Sequence, residues 1–234
     1  MIYLRYCLGS AFFFLYGAFA LPLAPVILVL PPRWVRFAVR SFYVGFVRLA
    51  RLCRLYRVDM DAGTLAALRD CRGRIVVMNH ISLIDICIIL AHLPDSTAIA
   101  KAAALKNPVL AAEVKKMFIV NDEDPMAIVG KARQLLAQGL NIVVFPQGTR
   151  GGPKLHRGAA RLALELKAEI LPVKISYDPV VLGKHQPWYY VGEREIKIRL
   201  EAGRPIIPQG ESNYRNAREL TGLIAERLSL AARP

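Results

Sequence analysis

No aspartate or glutamate occurs before Asp59, so the first 58 residues carry eight arginines with nothing to balance them. More than half of the formal net charge of +14 on this 234-residue chain is therefore concentrated in its N-terminal quarter. Cysteine is also sparse. Cys7, Cys53, Cys71 and Cys87 stand far apart, which excludes a CxxC zinc or redox motif and points to a reducing compartment. No run of glycine, serine or proline is long enough to serve as a linker, and no internal repeat is present. GxxxxGK, GxGxxG and GxSxG are missing, which removes the phosphate-loop, dinucleotide and nucleophile-elbow signatures. With 54% hydrophobic residues the chain is too apolar for a disordered protein. One globular domain joined to a membrane segment fits this composition.

The apolar residues are concentrated where charge is absent. Tyr6 to Pro32 holds no charged side chain, and the 24 residues from Cys7 to Leu30 would extend about 36 Å as a helix, enough to cross a bilayer. Pro22 and Pro25 fall inside this stretch, each removing a helix hydrogen bond, so a straight span and a kinked, half-inserted hairpin are both open. From Arg33 to Arg57 a helical wheel puts Arg33, Arg36, Arg40, Arg48, Arg51, Arg54 and Arg57 on one half. Trp34, Val35, Phe42, Phe46, Leu49, Leu52, Cys53 and Tyr56 gather opposite them. The expectation is a basic amphipathic helix lying on an anionic leaflet, with the Arg-rich side in the cytoplasm. Two alternatives are a signal peptide built on Arg5 and the run Ala11 to Phe19, and a merely solvated arginine face. Nucleic acid is not an expected partner, because neither interleaved aromatic and basic strands nor a recognition helix accompanies the charge.

Beyond residue 58 the pattern changes to short β-rich runs alternating with Ala- and Leu-rich helical segments, which predicts an α/β domain over residues 59–234. Strands are expected at Ile75 to Met78, Ile142 to Phe145, Ile170 to Ile175 and Glu195 to Leu200. Helices are expected at 61–70, 83–92, 107–117, 125–138, 157–167 and 213–231.

Two motifs carry chemistry. NHISLID, residues 79–85, follows the strand IVVM and precedes the helix DICIIL, at the strand end where α/β enzymes place their sites. His80 is a candidate general base, and Asp85, five positions on, is placed to hold the imidazole in one tautomer. An alternative makes Ser82 a helix N-cap, with Asp85 completing a capping box. NIVVFPQGTR, residues 141–150, is a strand opening into Gly148, Thr149 and Arg150. There Gly148 permits close backbone approach, and Arg150 offers a planar fork of donors for phosphate or carboxylate. Lys154, His156 and Arg157 extend the positive pocket, and the small residues Gly158 and Ala159 open a helix whose amides favour anions.

NHISLID resembles the NHxxxxD motif, and FPQGTR the FPEGTR motif, of the glycerolipid acyltransferases. The 65-residue spacing from His80 to Phe145 and the later ILPVKIS at 170–176 resemble that family as well. The resemblance implies a glycerol-3-phosphate acyltransferase-like domain, with a mixed, mostly parallel sheet flanked by helices, plus an N-terminal membrane-associated helical hairpin. It implies acyl transfer from acyl-CoA or acyl-carrier protein to the free hydroxyl of a lysophospholipid, foremost 1-acylglycerol-3-phosphate giving phosphatidate. His80 and Asp85 would act as a catalytic pair, and Arg150, Gly148, Thr149, Gln147, Lys101 and Arg157 would bind the acceptor's phosphate. Neither a cofactor nor a metal is implied. The expected location is the cytoplasmic face of a membrane, the bacterial inner membrane in particular.

The chain departs from the family's pattern at two places. Gln147 replaces a glutamate, losing one negative charge while keeping an acceptor oxygen and gaining two donors. AIAKAAALKNP at 98–108 resembles the family's lysine-containing block, yet the arginine expected after the following strand gives way to FIVNDED, residues 118–124. These departures keep open a different acceptor, such as lyso-ornithine lipid, and a silent membrane lipid-binding protein. A thioester or lysophospholipid hydrolase is the remaining rival.

Overall fold

A computed structural model describes residues 2–107, 111–121, 124–187 and 190–229. Two long helices, α1 (Ile2–Val29) and α2 (Pro32–Leu52), precede a seven-stranded sheet. The strands are β1 (Tyr56–Asp59), β2 (Ile75–Met78), β3 (Ser96–Ala100), β4 (Ile119–Val120), β5 (Asn141–Val144), β6 (Ile170–Asp178) and β7 (Ile196–Ala202). Their spatial order is β1-β7-β6-β2-β5-β3-β4, with every neighbouring pair parallel except β6 and β7. The remaining helices are α3 (Ala62–Arg69), α4 (Asp85–His92), α5 (Ala111–Met117), α6 (Pro125–Ala137), α7 (Gly158–Leu166) and α8 (Tyr214–Arg227). This is the mixed, mostly parallel α/β sheet expected above.

The two-residue period of a strand sorts the core into two layers. Val76 and Met78 of β2 pack with α2 and α4, whereas Ile75 and Val77 face α6, α7 and α8. Because β2 is buried along its whole length, its run IVVM shows no alternation, as central parallel strands do not. Since β2, β3 and β5 run parallel, the loops following β2 and β5 leave the sheet at the same edge. That edge receives both sequence motifs.

The N-terminal segment differs from expectation in three ways. Helix α2 ends at Leu52, not near Arg57, because Arg54 adopts φ 52° and the Leu55 amide closes back onto the Ala50 carbonyl. Tyr56 then enters β1 and pairs with Ile196, so the expected boundary between residues 58 and 59 falls inside a strand of the sheet. The apolar stripe of α2 does not lie free for a leaflet: Val35, Val39, Tyr43, Phe46 and Ala50 are buried in the domain core. Trp34, Phe37, Leu49 and Leu52 are the apolar side chains that α2 leaves exposed.

Helix α1 continues through both prolines, and residues Arg5–Val29 are long and apolar enough to cross a membrane. Its start is nonetheless tied to the globular domain. The Arg5 guanidinium donates to the carbonyls of Arg54 (3.0 Å) and Arg194 (2.7 Å), and Gly9 lies against Val191. Further along, the Tyr16 hydroxyl donates to the Phe42 carbonyl of α2, and Phe12 meets Phe46. The two helices thus form a hairpin. Phe14, Leu15 and Phe19 stay exposed on α1.

Elsewhere the strands β1, β3 and β4 go beyond the sequence expectation. The sequence STAIA of β3 is too weakly apolar to announce a strand, and β4 has only two residues. The expected helix at 107–117 is observed as α5 from Ala111, following a 3-10 turn at Ala102–Lys106; residues 108–110 lie outside the described residues. The end of the 213–231 helix, and Asp122 and Glu123 of FIVNDED, lie outside them as well.

Candidate active site

Asn79 leaves the end of β2 as a side-chain continuation of the sheet. Its amide donates to the Ile175 carbonyl (2.8 Å) and its oxygen accepts from the Ile175 N–H (2.7 Å). The next residue, His80, is thereby projected from a fixed point. Its Nδ1 lies 2.7 Å from Asp85 Oδ2, and that oxygen also accepts the N–H groups of Ile81 (2.7 Å) and Ser82 (2.9 Å). The other oxygen of Asp85 accepts the Tyr177 hydroxyl at 2.5 Å.

Asp85 is fully buried at the first position of α4, where a negative charge also meets the positive end of the helix dipole. A carboxylate is acceptor-only, and here both oxygens face donors. Nδ1 of His80 therefore carries the proton in this pairing, and neutral His80 keeps Nε2 as its acceptor nitrogen. Burial, with the Asp85 carboxylate adding to it, pushes the Tyr177 hydroxyl well above the usual tyrosine range, which keeps it a donor. Only half of the capping alternative forms: Asp85 accepts the Ser82 N–H, but α4 begins at Asp85 without a side-chain cap and the buried Ser82 hydroxyl is not the acceptor for its first turn.

The second motif is bolted to the first. The Gln147 Oε1 accepts the His80 N–H at 2.5 Å, its Nε2 donates to the Gly152 carbonyl at 2.7 Å, and the Gly151 N–H donates to the His80 carbonyl at 2.7 Å. Gln147 is thus buried between two loops, both of its polar ends facing protein. Gly148 has φ +65° and its missing side chain leaves room for the His156 ring; a Cβ there would stand 3.2 Å from His156 Cδ2. Phe145 lies beside the His80 ring, with centroids 4.5 Å apart.

The expected phosphate ligands spread over a wider area. Arg150 is half-buried and donates through Nη1 to the carbonyls of Leu182 (2.7 Å) and Gly183 (3.3 Å). Thr149 is half-buried in the same turn. Lys101 stands exposed at the end of β3, on the same sheet edge, and its side chain has no polar partner among the described residues. The Arg157 guanidinium lies over the Tyr214 ring of α8, 4.3 Å from its centroid, so its charge is already engaged with an aromatic face.

Tyr177 and the Asn79 bridge are parts of the candidate site that the motifs alone do not announce. Val173 and Ile175 point into the core layer that holds α4, and continuing that alternation by two residues places Tyr177 there too. Beside the site, a cavity of about 390 Å³ opens between α1, α2 and α4, lined by Phe13, Leu23, Phe42 and Phe46 with Leu83 and Ile84. Leu83 and Ile84 immediately precede Asp85, so the cavity borders the loop that holds His80.

A sequence profile of the Acyltransferase family matches residues 64–176, a span containing both motifs. That span, just under half of the chain, is similar to this family. A 1-acyl-sn-glycerol-3-phosphate acyltransferase from Helicobacter pylori is 30% identical over 147 residues, which cover 58% of this chain and 62% of that relative. The crystal structure of the 1-acyl-sn-glycerophosphate (LPA) acyltransferase PlsC from Thermotoga maritima superposes with a TM-score of 0.69. That match is 24% identical and covers 100% of this chain and 99% of that one, so the likeness of fold extends to the N-terminal helices as well as the α/β domain.

Proposed function

We propose that the protein transfers an acyl group from a thioester, acyl-CoA or acyl-carrier protein, to the free hydroxyl of a lysophospholipid, with 1-acylglycerol-3-phosphate as the foremost acceptor. The observation that carries this reading is the 2.7 Å contact of His80 Nδ1 with a buried Asp85, which leaves Nε2 to accept a proton. Nε2 removes the proton of the lysolipid hydroxyl while that oxygen attacks the thioester carbonyl. The resulting imidazolium is stabilised by Asp85. Collapse of the tetrahedral adduct breaks the C–S bond, and the departing thiolate takes the proton from His80. The thioester is already activated, so positioning the hydroxyl beside the base supplies much of the acceleration. Arg150 keeps Nε and Nη2 for the acceptor's phosphate while Nη1 is fastened to the backbone.

The hairpin of α1 and α2 supplies the membrane address. Exposed Phe14, Leu15 and Phe19 on α1, with Trp34 and Phe37 on α2, present apolar surface next to the uncompensated arginines, which suits an anionic cytoplasmic leaflet. A lysolipid keeps its chain in that leaflet while its headgroup reaches His80 and Arg150, and the neighbouring apolar cavity receives a fatty chain.

The test is thioester consumption by detergent-purified protein, offered acyl-CoA and acyl-carrier protein against a panel of lysolipids including 1-acylglycerol-3-phosphate and lyso-ornithine lipid, with products identified by mass spectrometry. Acceptor-dependent acylation is expected, falling by about 10²- to 10⁴-fold in His80→Ala. A His80→Ala protein with wild-type turnover overturns the assignment, and thioester loss independent of acceptor identifies a hydrolase instead.

A further inference from the structure

The cavity beside α4 contains one group that an unadorned hydrocarbon cannot satisfy. Glu113 of α5 lines it, is only 6% exposed, and is the sole carboxylate among the described residues that line it. The Tyr43 hydroxyl donates to Glu113 Oε2 at 2.7 Å, but Oε1 is buried with no hydrogen-bond partner among the described residues. Buried polar atoms are almost always paired, because an unpaired one forfeits its hydration without compensation. Burial also pushes the Glu113 carboxyl up to about 7, against the opposing pull of the Tyr43 hydrogen bond. Near neutral pH it is therefore available both as a carboxylate acceptor and as a protonated donor.

A hydroxyl group is complementary to both forms. It donates to the ionised oxygen and accepts from the protonated one, whereas a plain methylene chain leaves Oε1 unpaired in either. We propose that this cavity receives a fatty chain bearing a hydroxyl group, and that Glu113 is the specificity-determining residue that recognises it. The proposal rests on the acyl-transfer reading above and narrows its substrate class. The chain belongs either to the thioester donor or to the lysolipid acceptor, since both bring an acyl chain to the loop that Leu83 and Ile84 share with the cavity.

The experiment uses the full chain in detergent and has two kinetic arms. In the first, acyl thioesters of equal length, unsubstituted or hydroxylated at successive carbons, compete for one acceptor. In the second, lysolipids with plain or hydroxylated chains compete for one donor. The wild type is expected to favour one hydroxyl position in one arm by about tenfold in kcat/KM, the discrimination a single buried hydrogen bond confers. Each variant is read as its own ratio of hydroxylated to plain chain. Glu113→Gln, which retains a polar amide, keeps part of the preference, and the double variant Tyr43→Phe/Glu113→Leu, which removes both polar groups together, abolishes it. Displacement of a fluorescent fatty acid by free hydroxylated or plain fatty acids reads the cavity without turnover. Absence of turnover with every donor sinks the acyl-transfer reading alone, because the displacement ratio still reports on Glu113. Equal displacement by the two fatty acids, or a preference that survives in the double variant, overturns recognition by Glu113.

Discussion

Gln147 is one of the two places at which this chain departs from the pattern of the family it resembles, and its two hydrogen bonds make the departure testable. Gln147→Met keeps the bulk but removes both bonds, leaving the His80 N–H and the Gly152 carbonyl unpaired at a buried junction. Each orphaned group costs about 1–3 kcal/mol, so the loss is about 2–6 kcal/mol, or a fall in Tm of about 4–24 °C for a chain of this size. Gln147→Glu keeps the acceptor for His80 but turns the contact with Gly152 into oxygen against oxygen, unless the new carboxyl is protonated and donates. Folding then favours the protonated form. The deficit should be small below about pH 4.3, the ordinary glutamate value, and should grow as pH rises. Thermal unfolding in detergent across pH 4 to about 8, with turnover measured beside it, reads both variants. Turnover should fall chiefly in kcat, by about tenfold or more, because both ends of the amide are spent on the backbone around the proposed base and neither is left for a headgroup; acceptor preference should not change. A Gln147→Met protein that unfolds with the wild type and turns over at its rate would refute the bracket, and altered headgroup selectivity in Gln147→Glu would return the residue to the phosphate site.

Three further outcomes follow from neighbouring contacts. Tyr177→Phe removes one donor to buried Asp85 while leaving the other three, so stability should fall by about 1.5–3 kcal/mol in denaturant unfolding and kcat should drop while the acceptor KM holds; unchanged unfolding would show the contact to be idle. Glu113 has a carboxyl raised from 4.5 to about 7 in the fold, beside Tyr43 of α2 and with Cys87 and Asp85 on α4. A raised acid costs nothing below the unfolded value and progressively more above it, so stability should decline by on the order of 3 kcal/mol between pH 4.5 and somewhat above 7, and Glu113→Gln should flatten that decline; parallel curves would count against the burial. Gly9→Val would drive a side chain into Val191, since a Cβ at residue 9 already stands 2.2 Å from Val191 Cγ1, and should loosen α1 from the domain, seen as faster proteolysis between α1 and α2; wild-type resistance would show that Arg5 suffices to hold the helix.

How much of this is legible in the chain depends on whether a contact is local. His80 and Asp85 are five residues apart, and their meeting needs only a turn between a strand and a helix, so NHISLID alone announces the pair. Tyr177 lies 92 residues from Asp85, and only the sheet order that sets β6 beside β2 brings the two together. The neighbours Gly148 and Arg150 suit a phosphate and so suggest one for Gln147 too; its actual engagement follows from two loops leaving adjacent parallel strands at one edge. The helix expected through Arg57 fails for a related reason. Periodicity measures only what a segment prefers by itself, and Tyr56 to Asp59 prefers nothing strongly until β7 offers a ladder of hydrogen bonds.

The same argument explains why α2 is a core helix as much as a surface one. A wheel separates arginine from apolar residues but is silent on what covers the apolar face, and the sheet and α4 compete with lipid for it. Once Val35, Val39, Tyr43 and Phe46 are committed to the domain, the apolar surface left for the proposed membrane contact is Trp34, Phe37, Leu49 and Leu52 with the exposed side of α1. The proposed membrane attachment and the proposed site would then be mechanically linked, because the helix that carries the arginines also supplies Tyr43 and Phe46 to the cavity wall beside the His80 loop. On the proposed reading, a chain arriving from the leaflet would meet the hairpin before it met His80, so the helices proposed to bring the protein to its substrate would also shape which chain it accepts.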